Sequence, residues 1–206
     1  HGQYEWALEY DHHRHAIPAK VLGNEHPDTA TSYNNIGGVY DSLGQYEKAL
    51  EYFHKALTTR EKVLGFEHPH TAISYNNIGG VYDSLRQYEK ALEYYHKALA
   101  IRENKLGNEH PDTATSYNNI GLVYDSLGQY DKALEYYHKA LAILENKLGI
   151  EHPNTASSYN NIGGVYYSLG QYGKALEYLH KALAITENKL GLENPNTATS
   201  YNNIGR

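Results

Sequence analysis

Cysteine is missing from this sequence, and so is methionine. The first absence excludes disulfides and thiolate-held metals. The second goes with a chain that opens at His1 and reads as a fragment or processed product, so a targeting segment ahead of it is left open. No apolar run approaches the ~20 residues that a membrane helix needs, and no membrane partner is expected. Basic residues are outnumbered, 18 against 24 acidic ones, and both kinds are spread evenly to a net charge of −6. A basic stripe is therefore lacking, and nucleic acid is not expected as a partner. Asparagine-X-Ser/Thr sequons are also absent. So is any nucleophile–base–acid set, phosphate loop or metal motif. The expectation is a chain without catalytic activity, cofactor or metal.

What is present is tyrosine, 22 residues against two Phe and one Trp, and a repeat. Ser32 to Leu43 spells SYNNIGGVYDSL, and Ser74 to Leu85 spells it again. An Asn-Asn pair falls at 34-35, 76-77, 118-119, 160-161 and 202-203, each step being 42 residues. His-Pro follows the same step at 26-27, 68-69, 110-111 and 152-153, with Asn194-Pro195 as a fifth variant. A fixed period of this size marks a repeat architecture.

Two helices fit within one period. The first is expected from Pro27 to Leu43. Proline suits a first helical position, where its missing N–H costs nothing. Asp28 and Asp112 fall in a first turn, where the helix dipole favours an anion. Tyr33, Ile36, Gly37 and Tyr40 mark one face. Gly44 ends the helix by taking positive φ; Arg86 fills that column in the second copy and should cost about 1 kcal/mol there. The second helix is expected from Gln45 to Leu64, with Tyr46, Ala49, Leu50, Phe53, Ala56 and Leu57 forming a wide apolar stripe. Leu-Gly closes it at 64-65 and again at 106-107, 148-149 and 190-191. Helix pairs stacked copy upon copy make an all-α solenoid.

The pattern Tyr33-x2-Ile36-Gly37-x2-Tyr40, then Ala49-x3-Phe53 and Ala56, resembles the tetratricopeptide repeat. Tyr stands where that repeat has Trp, and its closing Pro is absent. The longer period, with LGxEHPxTAxSxNNxG between helices, resembles the repeats of kinesin light chain and its relatives. The resemblance implies a right-handed superhelix of antiparallel helix pairs. Its frame divides the chain into a degenerate half repeat over 1–23 (second helix only), repeats over 24–65, 66–107, 108–149 and 150–191, and a truncated half repeat over 192–206. In the opening half repeat Asp11, Arg14 and Pro18 interrupt the apolar stripe. His1 occupies the Leu43 column and Arg206 the Gly38 column, so only the columns of Val39 to Ser42 separate one end from the other. Such complementary ends suit head-to-tail stacking, a heterologous contact that does not close.

Within the first helix Thr31, Asn34, Gly38 and Asp41 share a face beside the apolar one. The resemblance places that face on the wall of the concave groove. Asn34, Asn76, Asn118, Asn160 and Asn202 would then line it. A carboxamide pairs with both the N–H and the C=O of an extended peptide. Asparagine is also a mediocre helix former, so a whole column of it asks for a reason. Gly38, Gly80 and Gly164 follow one turn on and leave room for a backbone. Leu122 fills that column in the third copy, narrowing the groove or offering an apolar contact. Asp41, Asp83 and Asp125 add a negative charge per copy, with Tyr167 in the fourth. Kinesin light chain-type grooves are expected to take acidic peptides with the help of basic side chains. The groove columns here carry no Lys or Arg, so a neutral or basic peptide is expected. The Asn35 column is expected to bond backbone or an adjacent repeat.

Other clusters carry less. His54, His96, His138 and His180 form a column spaced by whole repeats, about 10 Å, too far to share a metal at ~2 Å, and read as a surface column. His12, His13 and His15 lie near Asp11 and read as a solvated end. Tyr40, Tyr46 and Tyr52 read as a stacked aromatic core. The sequence thus points to a non-catalytic scaffold binding an extended peptide of a protein partner, with a self-stacking filament subunit as the alternative and a spacer within a larger signalling protein as a third reading. A cytoplasmic setting is the default, an extracellular one goes with the filament.

Overall fold

The structure, a computed structural model, describes residues 23, 26–191 and 194–204. The described residues form nine helices: α1 (Pro27–Ser42), α2 (Tyr46–Leu64), α3 (Pro69–Ser84), α4 (Tyr88–Lys105), α5 (Pro111–Ser126), α6 (Tyr130–Leu148), α7 (Pro153–Ser168), α8 (Tyr172–Leu190) and α9 (Pro195–Ile204). The boundaries expected from the repeat are met to within a residue in the first pair. None of these helices is long and apolar enough to cross a membrane. The chain divides into two compact units, His1–Lys105 and Leu106–Arg206.

Each loop between repeats is a capping device. The His-Pro step supplies the N-cap: His26 Nδ1 accepts from the Asp28 backbone N–H at 3.2 Å, and His68, His110 and His152 do the same at 3.1 Å. One of the orphan donors of the helix start is thereby satisfied. A buried threonine closes the loop behind it. Thr71, Thr113 and Thr155 donate their hydroxyls to the carbonyls of Gly65, Gly107 and Gly149 at 2.9 Å. Those glycines hold φ near +90°, open only to a residue without Cβ.

The turn inside each helix pair is a Schellman ending. Gly44 N–H bonds Asp41 O and Gln45 N–H bonds Tyr40 O, both at 2.8 Å. Arg86 keeps this geometry: its φ is +56°, the one positive value outside glycine among the described residues, and its two turn bonds are also 2.8 Å.

Packing follows the apolar columns. In the first unit Ala49, Phe53 and Leu57 of α2 meet Ile78 and Val81 of α3, bordered by Tyr46, Leu50, Tyr82, Leu85 and Tyr94. In the second unit Ala133, Tyr137 and Leu141 of α6 meet Tyr159, Ile162 and Val165 of α7. Ile78, Ile120 and Ile162 are fully buried, and each contributes about 1.5–3 kcal/mol. The glycine of Ile36-Gly37 is a close-approach residue: a Cβ on Gly79 or Gly121 would sit 2.8 or 2.7 Å from the ring of Tyr95 or Tyr137. The tyrosine core is stacked as the sequence implies, with Tyr40 and Tyr52 rings 5.5 Å apart, and Tyr82 and Tyr94 likewise.

Candidate functional site

The asparagines sit where successive repeats meet. In the first unit Asn77 Nδ2 donates to Asn34 Oδ1 at 2.9 Å, and in the second Asn161 Nδ2 donates to Asn118 Oδ1 at 3.3 Å. The second asparagine of one repeat thus reaches back to the first asparagine of the repeat before. This agrees with the expectation that the Asn35 column serves a junction, and it adds that the Asn34 column takes part as acceptor. Asn34, Asn76, Asn118 and Asn160 are all half-buried. The Asn202 side chain lies outside the described residues, as do His12, His13, His15 and the chain ends on which head-to-tail stacking was read.

Arg60 is the neighbour of the asparagines that the columns of the first helix did not reveal. It is 5% exposed and donates Nη1 to Asn34 Oδ1 (3.3 Å), to the His70 carbonyl (3.1 Å) and to Ser74 Oγ (2.7 Å). Burial lowers its pKa from the ordinary guanidinium value, and three acceptors offset that cost. A basic residue thus reaches the asparagine column from the second helix. The signal was present: Arg60 and Arg102 interrupt an apolar stripe at a position where the third copy has Leu144. In the copy that follows, the serine equivalent to Ser74, Ser158, is fully buried and its hydroxyl finds no partner.

One turn beyond the amides the face is open. A Cβ on Gly38 or Gly164 would meet nothing within 4 Å, and one on Gly80 only the Tyr95 hydroxyl at 3.6 Å. Neither packing nor positive φ requires glycine there, although each costs about 1 kcal/mol inside a helix. Leu122 projects from the same column, 39% exposed. Asp41, Asp83 and Asp125 are half-buried and make no ion pair among the described residues. Burial raises the pKa of each.

Tyrosine in place of tryptophan has a junction role. Tyr75 donates its hydroxyl to Glu61 Oε1 of the preceding repeat at 2.6 Å, and Tyr159 donates to Glu145 in the same way. Two of the histidines read as a surface column are in fact half-buried: His54 and His138 pack edge-on against Tyr94 and Tyr178 of the next repeat, at 6.2 and 6.1 Å. Burial lowers the pKa of both.

Helix pairs joined by capped loops, with polar pairs repeated at each described junction, define a scaffold of the α-solenoid class. The chain belongs to the tetratricopeptide repeat family, which matches residues 2–62, 42–104, 70–146, 112–188 and 154–206. Similar solved structures include BtubC (BKLC) from P. vanneervenii, 24% identical over 99% of this chain and 80% of that one, with a TM-score of 0.80. A Podosopora anserina putative kinesin light chain with nearly identical TPR-like repeats is 29% identical over 91% of this chain and 89% of that one, with a TM-score of 0.72. Aspartyl phosphate phosphatase F from Bacillus subtilis shares the fold at 20% identity, covering 97% of this chain and 52% of that chain, with a TM-score of 0.77. No curated protein matches the sequence. TPR proteins are generally non-catalytic scaffolds for protein–protein interaction.

Proposed function

We propose that this TPR scaffold binds an extended peptide segment of a protein partner along the face carrying the asparagines. The observation that carries the reading is the half-use of each amide pair. Asn34 and Asn118 accept through Oδ1, and their Nδ2 groups make no hydrogen bond among the described residues; Asn77 and Asn161 donate through Nδ2, and their Oδ1 atoms make none. Each junction therefore offers one donor and one acceptor, the complement of a peptide unit. The open flanks of Gly38 and Gly164 admit a backbone beside them. Held rigidly by Arg60 in the first unit, the pair needs little ordering on binding, which favours affinity.

The test is a random nonapeptide library displayed against the full chain. Peptides are expected to be recovered, and Asn76, Asn118 and Asn160 changed together to Ala should weaken them at least about tenfold with helicity intact, as expected for lost paired bonds. Unchanged affinity would refute the reading.

A second reading rests on the sameness of the junctions. Asn77–Asn34 recurs as Asn161–Asn118, and Tyr75–Glu61 recurs as Tyr159–Glu145. One junction chemistry then serves any number of repeats, including repeats of successive molecules in a head-to-tail filament. Light scattering and electron microscopy decide it: fibres support it, and a persistent monomer at high concentration excludes it.

A further inference from the structure

We propose that the loop between α2 and α3 is an acid-released latch: protonation of His68 and His70 withdraws the N-cap of α3 and pushes the start of that helix away from the buried Arg60 that clips the first junction. The latch is independent of peptide binding, because every group in it belongs to this chain.

The cap works only with a neutral ring. His68 Nδ1 accepts from the His70 backbone N–H at 3.1 Å, so the ring proton sits on Nε2. An imidazolium has donors on both nitrogens and no acceptor. A proton on Nδ1 sets donor against donor, at a helix start whose dipole disfavours a cation. The same cap recurs at His26, His110 and His152.

What differs between the copies is the residue two places on. In the first and third it is Asp28 and Asp112, with Oδ2 3.7 and 3.8 Å from Nδ1 of His26 and His110. There an ion pair can replace the lost cap bond. In the fourth it is the neutral Asn154, and Leu144 stands in the Arg60 column of the copy before. In the second it is His70, whose ring stands edge-on to that of His68 with centroids 5.1 Å apart. Neither ring has an ion pair among the described residues.

The charged neighbours offer no relief. Arg60 of α2 donates Nη1 to the His70 carbonyl at 3.1 Å. Glu67 of the loop is held by Lys105 of α4 at 2.8 Å, and Glu61 of α2 accepts from the Tyr75 hydroxyl of α3. From α1 comes Asn34, which is uncharged. Acidification thus gathers two imidazolium groups beside a buried guanidinium. Burial, then Arg60 and His68, lower the His70 pKa. The stability tied to His70 is therefore complete above the ordinary 6.5 and falls as pH drops through the folded value. Arg60 also holds Ser74 Oγ and Asn34 Oδ1, so moving the start of α3 loosens its tie to α1.

The test is amide exchange by NMR on the full chain, at about pH 7.5 and about pH 5.5, corrected for the intrinsic pH dependence of exchange. The reporters are Thr71 and Ala72, whose N–H groups bond the His68 carbonyl at 2.8 and 3.2 Å, and their counterparts Thr113 and Ala114 at His110. On acidification Thr71 and Ala72 should lose protection about five- to tenfold more than Thr113 and Ala114, the worth of a cap. At about pH 7.5 the imidazole nitrogen spectrum should show the His68 proton on Nε2. His70→Asp gives the second copy the arrangement of the third and should abolish the excess loss. His68→Asn keeps a cap that does not titrate and should abolish it too. Equal loss at both loops, no loss at α3, or an excess that persists in both variants overturns the latch.

Discussion

Ser74 and Ser158 occupy the same column two repeats apart, and the same substitution should act on them with opposite sign. Ser74 Oγ accepts from the buried Arg60 guanidinium at 2.7 Å, the shortest of that arginine's three bonds. A hydrogen bond to a charged group contributes about 1.5–3 kcal/mol. Two acceptors remain in Ser74→Ala, so the cost should lie near the lower end, about 1.5–2 kcal/mol. Ser158 is fully buried, its hydroxyl has no partner, and Leu144 stands where Arg60 stands in the first copy. Removing an unsatisfied hydroxyl recovers part of a penalty of about 1–3 kcal/mol, and Ser158→Ala should stabilise by about 1 kcal/mol. The two changes then differ by about 2.5–3 kcal/mol, roughly a hundredfold in the local opening constant. Repeat arrays need not unfold in one step, so the assay is hydrogen exchange of the backbone amides of α3 and α7. Faster exchange in α3 of Ser74→Ala with slower exchange in α7 of Ser158→Ala is expected. Equal effects, or stabilisation at Ser74, would refute the assignment of Arg60 as the junction clip.

Arg86→Gly should stabilise by about 0.5–1 kcal/mol in chemical denaturation, because glycine removes the penalty of φ +56°. Gly121→Ala should destabilise by about 1–3 kcal/mol, since its Cβ would lie 2.7 Å from Tyr137. Burial raises Asp41, Asp83 and Asp125 above the ordinary 3.8; the stability they contribute is present below that value and lost as pH rises through their folded pKa values. Asparagine at these positions should therefore raise the melting temperature at about pH 7 and leave it little changed below the ordinary 3.8. For His54, His96 and His138 the sign is reversed: burial lowers each below 6.5, so stability is complete above 6.5 and falls as pH drops through the folded values. His138→Gln should flatten the acid side of a stability–pH curve.

Much of the fold was legible because the period repeats every local signal. His-Pro, Leu-Gly and the SLGQY turn recur in register, and helix ends followed from proline and glycine chemistry alone. Even the strain at Arg86 could be placed, since its column is glycine in the other copies. The asparagine face was legible as a face, from spacing of three and four. Its partners were not, because they come from other elements. Arg60 reaches Asn34 from 26 residues away and Asn77 reaches it from 43; no helical period contains such pairs. Tyr95 read as core by its spacing, and its ring is core. That its hydroxyl emerges beneath Gly80 depends on the crossing of α3 and α4, which the sequence pattern leaves open. His54 looked like surface for a similar reason: the ring that covers it, Tyr94, belongs to the next repeat.

The proposed peptide binding turns on the unused half of each amide pair, and the side-chain amide signals of Asn34 and Asn118 report on it directly. During an NMR titration with the tightest selected nonapeptide, both Nδ2 groups should shift and show contacts to peptide protons, while the Asn77 and Asn161 Nδ2 signals, held within the junctions, move little. Saturating peptide that leaves the Asn34 and Asn118 signals in place, or frees Asn77 from its junction, would contradict a groove built on these amides.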